Sequence, residues 1–135
     1  MIILLYEVIT LGLTKKPVHI FEPDPLQCGQ AALAMLTDSS VEEIIKICGN
    51  EKETTFKEMV SVLSHFDISL EPGRKQATVK ADLPEVALLS LETPKCWHWS
   101  LYFDGIFYDP EYGVLEDFPP SFRRFYWEIK KDSEL

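Results

Sequence analysis

Asp104-Gly105 joins two aromatic-rich runs, His98 to Phe103 (HWSLYF) and Ile106 to Tyr108 (IFY), and this is the feature that most limits what the chain can fold into. An Asp-Gly pair accepts the left-handed backbone of a two-residue hairpin turn, so the two runs are predicted to be antiparallel neighbours. Val86 to Leu91 (VALLSL), a short apolar run just upstream, reads as a buried strand. Pro110 and Gly113 mark the next turn. The segment Phe122 to Ile129 (FRRFYWEI) fits a strand or a helix, and its periodicity selects neither.

Upstream of residue 67 the signals are helical. Gln27 to Leu36 (QCGQAALAML) follows the proline-rich entry Phe21-Glu22-Pro23-Asp24-Pro25, and its prolines sit where they shape a helix start without breaking it. Ser40-Val41-Glu42-Glu43 is a capping box, followed by Ile44, Ile45 and Ile47 and closed by Gly49. A second capping box, Thr55-Phe56-Lys57-Glu58, opens a helix through Phe66, with Phe56, Met59, Val60, Leu63 and Phe66 at helical spacing. Helices first and an antiparallel sheet after them make an α+β fold. No internal repeat, low-complexity tract or linker divides the chain, so residues 1–135 read as one domain.

Charge narrows the function. With 13 Lys and Arg against 22 Asp and Glu, the net charge is -9. An acidic surface of this kind argues against nucleic acid and against an anionic membrane as partners. The apolar start Met1 to Leu13 is too short to span a bilayer and lacks a basic leader region, so it reads as a buried strand of a cytoplasmic protein. Three cysteines, Cys28, Cys48 and Cys96, without CxxC spacing, fit reduced thiols better than a disulfide frame or a zinc site. Cys96 and His98 could ligate a metal together with Cys28, but buried free thiols are the better reading, and no metal or cofactor is expected.

Cys28 falls at a predicted helix start, where unpaired backbone N–H groups and the helix dipole suit a nucleophile. The alternative is an ordinary buried thiol. A nucleophilic cysteine needs a base, and the base needs a partner to orient it. His98 opens a predicted strand, and the hairpin brings Asp109 roughly level with His98 to Trp99. By themselves, these two read as a surface histidine and a turn aspartate before Pro110. Trp97 or Trp99 could line a cleft, the remaining aromatics read as strand packing, and His19 and His65 as surface or helix-flank residues.

Taken in order, Cys28-Gly29-Gln30-Ala31-Ala32-Leu33-Ala34-Met35-Leu36, His98 on a strand and Asp109-Pro110 on the next resemble the papain-like cysteine peptidases. The sequence is most similar to the bacteriocin-processing (double-glycine leader) peptidases and their stand-alone relatives, over roughly Pro23 to Gly113. The resemblance implies a papain-like domain in which Cys28 is the nucleophile, His98 the general base and Asp109 the residue that orients it. It implies a peptide or protein substrate and a bacterial or phage source.

That family also places a glutamine six residues before the cysteine, in the oxyanion hole, and an acidic residue directly before the cysteine. Here the two types are exchanged, with Glu22 at the first position and Gln27 at the second. An ionised carboxylate only accepts hydrogen bonds. Either Gln27 supplies the donor together with the Cys28 backbone N–H, or the hole is impaired. The reading is therefore a cysteine peptidase or related amide hydrolase or acyl-transfer enzyme. The alternatives are a catalytically degenerate module that binds a basic protein or peptide, and a transglutaminase-like or cell-wall amidase fold.

Overall fold

The structure, a computed structural model, describes residues 15–131. The strand expected over Met1 to Leu13 lies outside them. Three helices come first: α1 (Cys28–Thr37), α2 (Val41–Cys48) and α3 (Phe56–His65). Both predicted capping boxes form. Glu43 N donates to Ser40 Oγ at 3.1 Å while Ser40 N donates to Glu43 Oε1 at 2.8 Å. Thr55 and Glu58 repeat the exchange at the start of α3. Helix α1 differs, because its N-cap residue Gln27 makes no side-chain capping bond. It ends at Asp38 in the left-handed region, with φ 57°.

The sheet is antiparallel throughout and built from β1 (Ile68–Leu70), β2 (Lys75–Gln76), β3 (Val86–Glu92), β4 (Trp97–Phe103), β5 (Ile106–Asp109), β6 (Gly113–Leu115) and β7 (Arg124–Lys131). Its order is β1-β7-β3-β4-β5-β6, with β2 also paired to β7. The segment left open between helix and strand is thus a strand, held between β1 and β3. Backbone pairing on both edges decides what its own periodicity does not.

The β4–β5 turn has Asp104 at φ 45° and Gly105 at φ 89°, the two positive angles that a type I′ hairpin requires. The register is Leu101↔Tyr108 and Phe103↔Ile106. Strand β3 is buried on both faces, which explains its unbroken apolar run. Leu88 joins the core shared with Leu33, Ile44, Met59 and Leu63 of the helices. Ala87, Leu89 and Leu91 face a second cluster with Tyr102, Phe107 and Tyr126.

Helix α1 is the pivot of the fold. Every residue from Gly29 to Leu36 is buried, and the helix packs against α2, α3 and β4. The third helix departs from its sequence pattern, since Met59, Val62 and Leu63 are buried while Phe56 and Val60 remain partly exposed. Phe56 instead stacks on Trp127 with ring centroids 4.7 Å apart. Among the described residues, no helix is long and apolar enough to cross a membrane.

Candidate active site

Packing of α1 on β4 carries the first residue of the helix to the first residues of the strand. Trp99 N donates to Cys28 Sγ at 3.4 Å, so the thiol is docked on the β4 backbone. This approach needs Gly29, because a Cβ there would run into Thr54 Oγ1 and crowd Trp99 Cδ1 and Met59 Sδ. Trp99 in turn donates its indole N–H to Thr54 O at 3.2 Å. Gln30, fully buried, donates to Asn50 O and Lys52 O and so ties the loop after α2 to the helix.

His98 is buried, and its Nε2 lies 2.9 Å from Asp109 Oδ1. Nδ1 is the nitrogen left for Cys28, whose Sγ lies within 4.8 Å of the ring. Burial alone disfavours charge on the imidazole, but the bond to Asp109 and the nearby Cys28 outweigh it and raise the His98 pKa to about 10.

Asp109 is fully buried at the end of β5. Extending the register by one step from Leu101↔Tyr108 places it opposite Ser100, two residues beyond His98 on the same strand face. Its Oδ1 also accepts from Glu111 N at 2.8 Å and Tyr112 N at 2.9 Å, and its Oδ2 accepts from Ser100 Oγ at 2.7 Å. Burial would push the carboxyl up, yet the bonds from His98, Tyr112 N–H and Ser100 hold it below the usual carboxylate range.

Glu22 completes the cluster. Its carboxylate, Cys28 Sγ and a His98 ring nitrogen lie within 4.8 Å of one another. Donors of these three types could hold a divalent metal. The metal trio considered from the sequence is different, and it fails: Cys96 is exposed and outside the cluster. Cys96 is therefore not a buried thiol: it is exposed in the turn between β3 and β4, where its backbone bonds to Thr93. Gln27, half-buried beside the cysteine, donates its side-chain amide to Glu51 O at 3.0 Å.

A cleft of 220 Å³ opens over the cysteine, lined by Cys28, Glu53, Thr54, Ser90, Trp97, His98 and Trp99. Both tryptophans line it. A larger groove of 520 Å³, between α3, β1 and Trp127, contains none of Glu22, Cys28 and His98.

The sequence reading places neither of two further neighbours, Ser100 and His19, at the site. Ser100 could have been found by counting two residues from His98 along a strand. His19 has no such signal; its Nε2 donates to the Asp109 carbonyl oxygen at 2.7 Å, which corrects the surface reading. That contact brings together residues 90 apart, a pairing only the folded chain reveals.

No protein-family model matches the sequence, and no curated protein matches it. Solved structures do. One is the peptidase domain of Streptococcus ComA, a bi-functional ABC transporter involved in a quorum-sensing pathway. It is 13% identical, with a TM-score of 0.57 over 83% of this chain and 96% of that one. Another is a double glycine motif protease from an AMS/PCAT transporter, in complex with its leader peptide. It is 16% identical, with a TM-score of 0.56 over 83% of this chain and 91% of that one. Three helices packed on an antiparallel sheet, in the arrangement of these domains, give the chain the papain-like peptidase fold.

Proposed function

We propose that the chain is a thiol-dependent peptidase, or a related amide hydrolase or acyl-transfer enzyme, that works through a thioester on Cys28. One observation carries the reading: a buried His98, bonded through Nε2 to the buried carboxylate of Asp109, lies within 4.8 Å of the thiol of a cysteine at the uncapped start of α1. Buried ionisable groups are costly unless they are paired, and this pairing ends at a thiol that faces a cleft.

In this reaction the Cys28 proton resides on His98, and Sγ adds to the carbonyl carbon of the substrate. The carbonyl π pair moves onto oxygen. When the carbonyl reforms, the C–N bond breaks and the leaving nitrogen takes the proton from His98. Water, deprotonated by His98, then adds to the thioester; its collapse releases the acid and returns the thiol. If an amine takes the place of water, the outcome is acyl transfer. Asp109 keeps the imidazole oriented and compensates its charge throughout. A peptide or protein substrate agrees with the leader peptide bound to the transporter protease, and Trp97 and Trp99 offer it apolar walls.

The test is a digest of a proteome-derived peptide mixture with wild type and Cys28→Ala, read by mass spectrometry. New peptide termini with wild type only, and an acyl adduct on Cys28 after acid quench, are expected. Identical digests and no adduct would overturn the reading and favour a binding module.

A further inference from the structure

We propose that Glu22, Cys28 and His98 form a site for a thiophilic divalent cation of the zinc type, and that the bound cation blocks the nucleophile. The binding rests on geometry alone; the block rests on the peptidase reading above. A carboxylate oxygen of Glu22, Cys28 Sγ and a His98 ring nitrogen lie within 4.8 Å of one another. Ligand atoms around a tetrahedral zinc stand roughly 3.3–3.8 Å apart, so small side-chain rotations bring the three donors into range.

The donors come from three separate segments, each fixed from behind. Cys28 opens α1, and its Sγ accepts from Trp99 N at 3.4 Å. His98, buried in β4, spends Nε2 on Asp109 Oδ1 at 2.9 Å. That leaves Nδ1 for a metal, with a carboxylate on the opposite nitrogen, the arrangement that orients metal-binding histidines and makes them more basic. Asp109 is held in turn by Ser100 Oγ, Glu111 N and Tyr112 N. Glu22 N donates to Pro110 O at 2.9 Å, which ties its segment to the β5–β6 turn.

Glu22 sets the site apart from an ordinary thiol and imidazole pair. Its Oε1 is buried and has no hydrogen-bond partner among the described residues. A buried acceptor left unmatched is costly, and a cation satisfies it directly. Gln27, the nearest amide by sequence, is turned toward Glu51 O instead.

Donor chemistry selects the ion. Thiolate and imidazole suit zinc, whereas magnesium and calcium take oxygen ligands. A Glu22 carboxylate and a Cys28 thiolate together neutralise a divalent charge in a partly buried place. The 220 Å³ cleft reaches Cys28 and His98 and gives the ion its way in. On binding, Sγ and Nδ1 each give a lone pair to the metal, and the proton they shared passes to solvent. Neither is then free to attack a carbonyl or to carry a proton.

The experiment titrates the metal-free full chain at pH 7 with Co²⁺, then with Zn²⁺, in wild type, Cys28→Ser and Glu22→Gln. Alkylation of Cys28 and Cys96 by iodoacetamide is followed by peptide mass mapping with and without Zn²⁺. Wild type should show a near-ultraviolet thiolate-to-cobalt absorption that Zn²⁺ removes and Mg²⁺ does not, and Cys28→Ser should lack it. Glu22→Gln should bind Zn²⁺ roughly 10- to 100-fold more weakly, since even a change behind a ligand costs that much. Zn²⁺ should slow the alkylation of Cys28 and leave the exposed Cys96 unaffected. No absorption in wild type, an absorption kept by Cys28→Ser, or equal zinc affinity in Glu22→Gln would overturn the site, whatever the reactivity of Cys28. A chain that binds zinc in this way, yet without metal cuts no peptide and forms no Cys28 acyl adduct, would overturn the peptidase reading and the block with it, but not the binding.

Discussion

Ser100 Oγ donates to Asp109 Oδ2 at 2.7 Å, and neither side chain is exposed to solvent. The bond crosses from β4 to β5 and fixes the second oxygen of the carboxylate whose first oxygen holds His98. Ser100→Ala leaves Oδ2 buried without that donor. Unfolding in denaturant should show a loss of about 1–3 kcal/mol, and the Asp109 carboxyl should titrate higher. An unchanged midpoint would mean that another donor takes the place of the hydroxyl.

The His98–Asp109 pair makes stability depend on pH in a defined direction. His98 holds its proton up to about 10, against an ordinary 6.5, so its contribution is complete below 6.5 and disappears as pH rises through about 10. Asp109 is shifted the other way; its contribution is present above 3.8 and is lost as pH falls through its lowered folded value. The melting temperature should therefore decline between pH 6.5 and 10 in wild type, and much less in Asp109→Asn, where the imidazole loses its counter-charge. Parallel profiles for the two proteins would contradict the assignment.

Gly29 is required by contact rather than by backbone conformation. Its place in α1 suits any residue, but a Cβ would collide with Thr54 Oγ1. Gly29→Ala should therefore destabilise the fold by ~1–3 kcal/mol, the usual cost of overpacking, although alanine is the better helix former. Denaturant unfolding measures it, and a stabilised variant would show that Thr54 moves aside without cost.

Trp97 is 46% exposed on the cleft wall, where it stacks on Phe125 with ring centroids 5.9 Å apart and lies under Arg123. Trp97→Ala removes a wall without touching the bonds among Cys28, His98 and Asp109. With a cleaved peptide in hand, KM should rise about tenfold, equivalent to ~1.4 kcal/mol, with kcat nearly unchanged. A loss confined to kcat would place Trp97 in the chemistry instead of the binding.

Local signals in this chain were strong wherever a few neighbouring residues suffice. The Ser40 and Thr55 capping boxes and the Asp104-Gly105 turn each satisfy their own backbone groups, so their positions are readable without the rest of the protein. For Cys28, His98 and Asp109 a helix start and one hairpin supply candidates only, and it is the resemblance to the papain-like peptidases that implies their roles. What could not be read depends on long-range pairing. Strand β7 is recognisable only through its two neighbours, β1 and β3. His19 meets Asp109, and Glu22 meets Cys28 and His98, because a segment without regular structure packs against the β5–β6 turn. The exchanged positions of Glu22 and Gln27 were visible in the sequence, but the direction of each side chain was not.

Whether Cys28, His98 and Asp109 act as one unit is most directly tested by the rate of Cys28 alkylation by iodoacetamide at pH 6, in wild type and His98→Ala. Peptide mass mapping follows Cys48 and Cys96 as internal standards. A working pair predicts that Cys28 reacts faster than the exposed Cys96 in wild type, and that this advantage vanishes in His98→Ala while Cys96 is unaffected. A Cys28 no faster than Cys96, and indifferent to the loss of His98, would contradict the account.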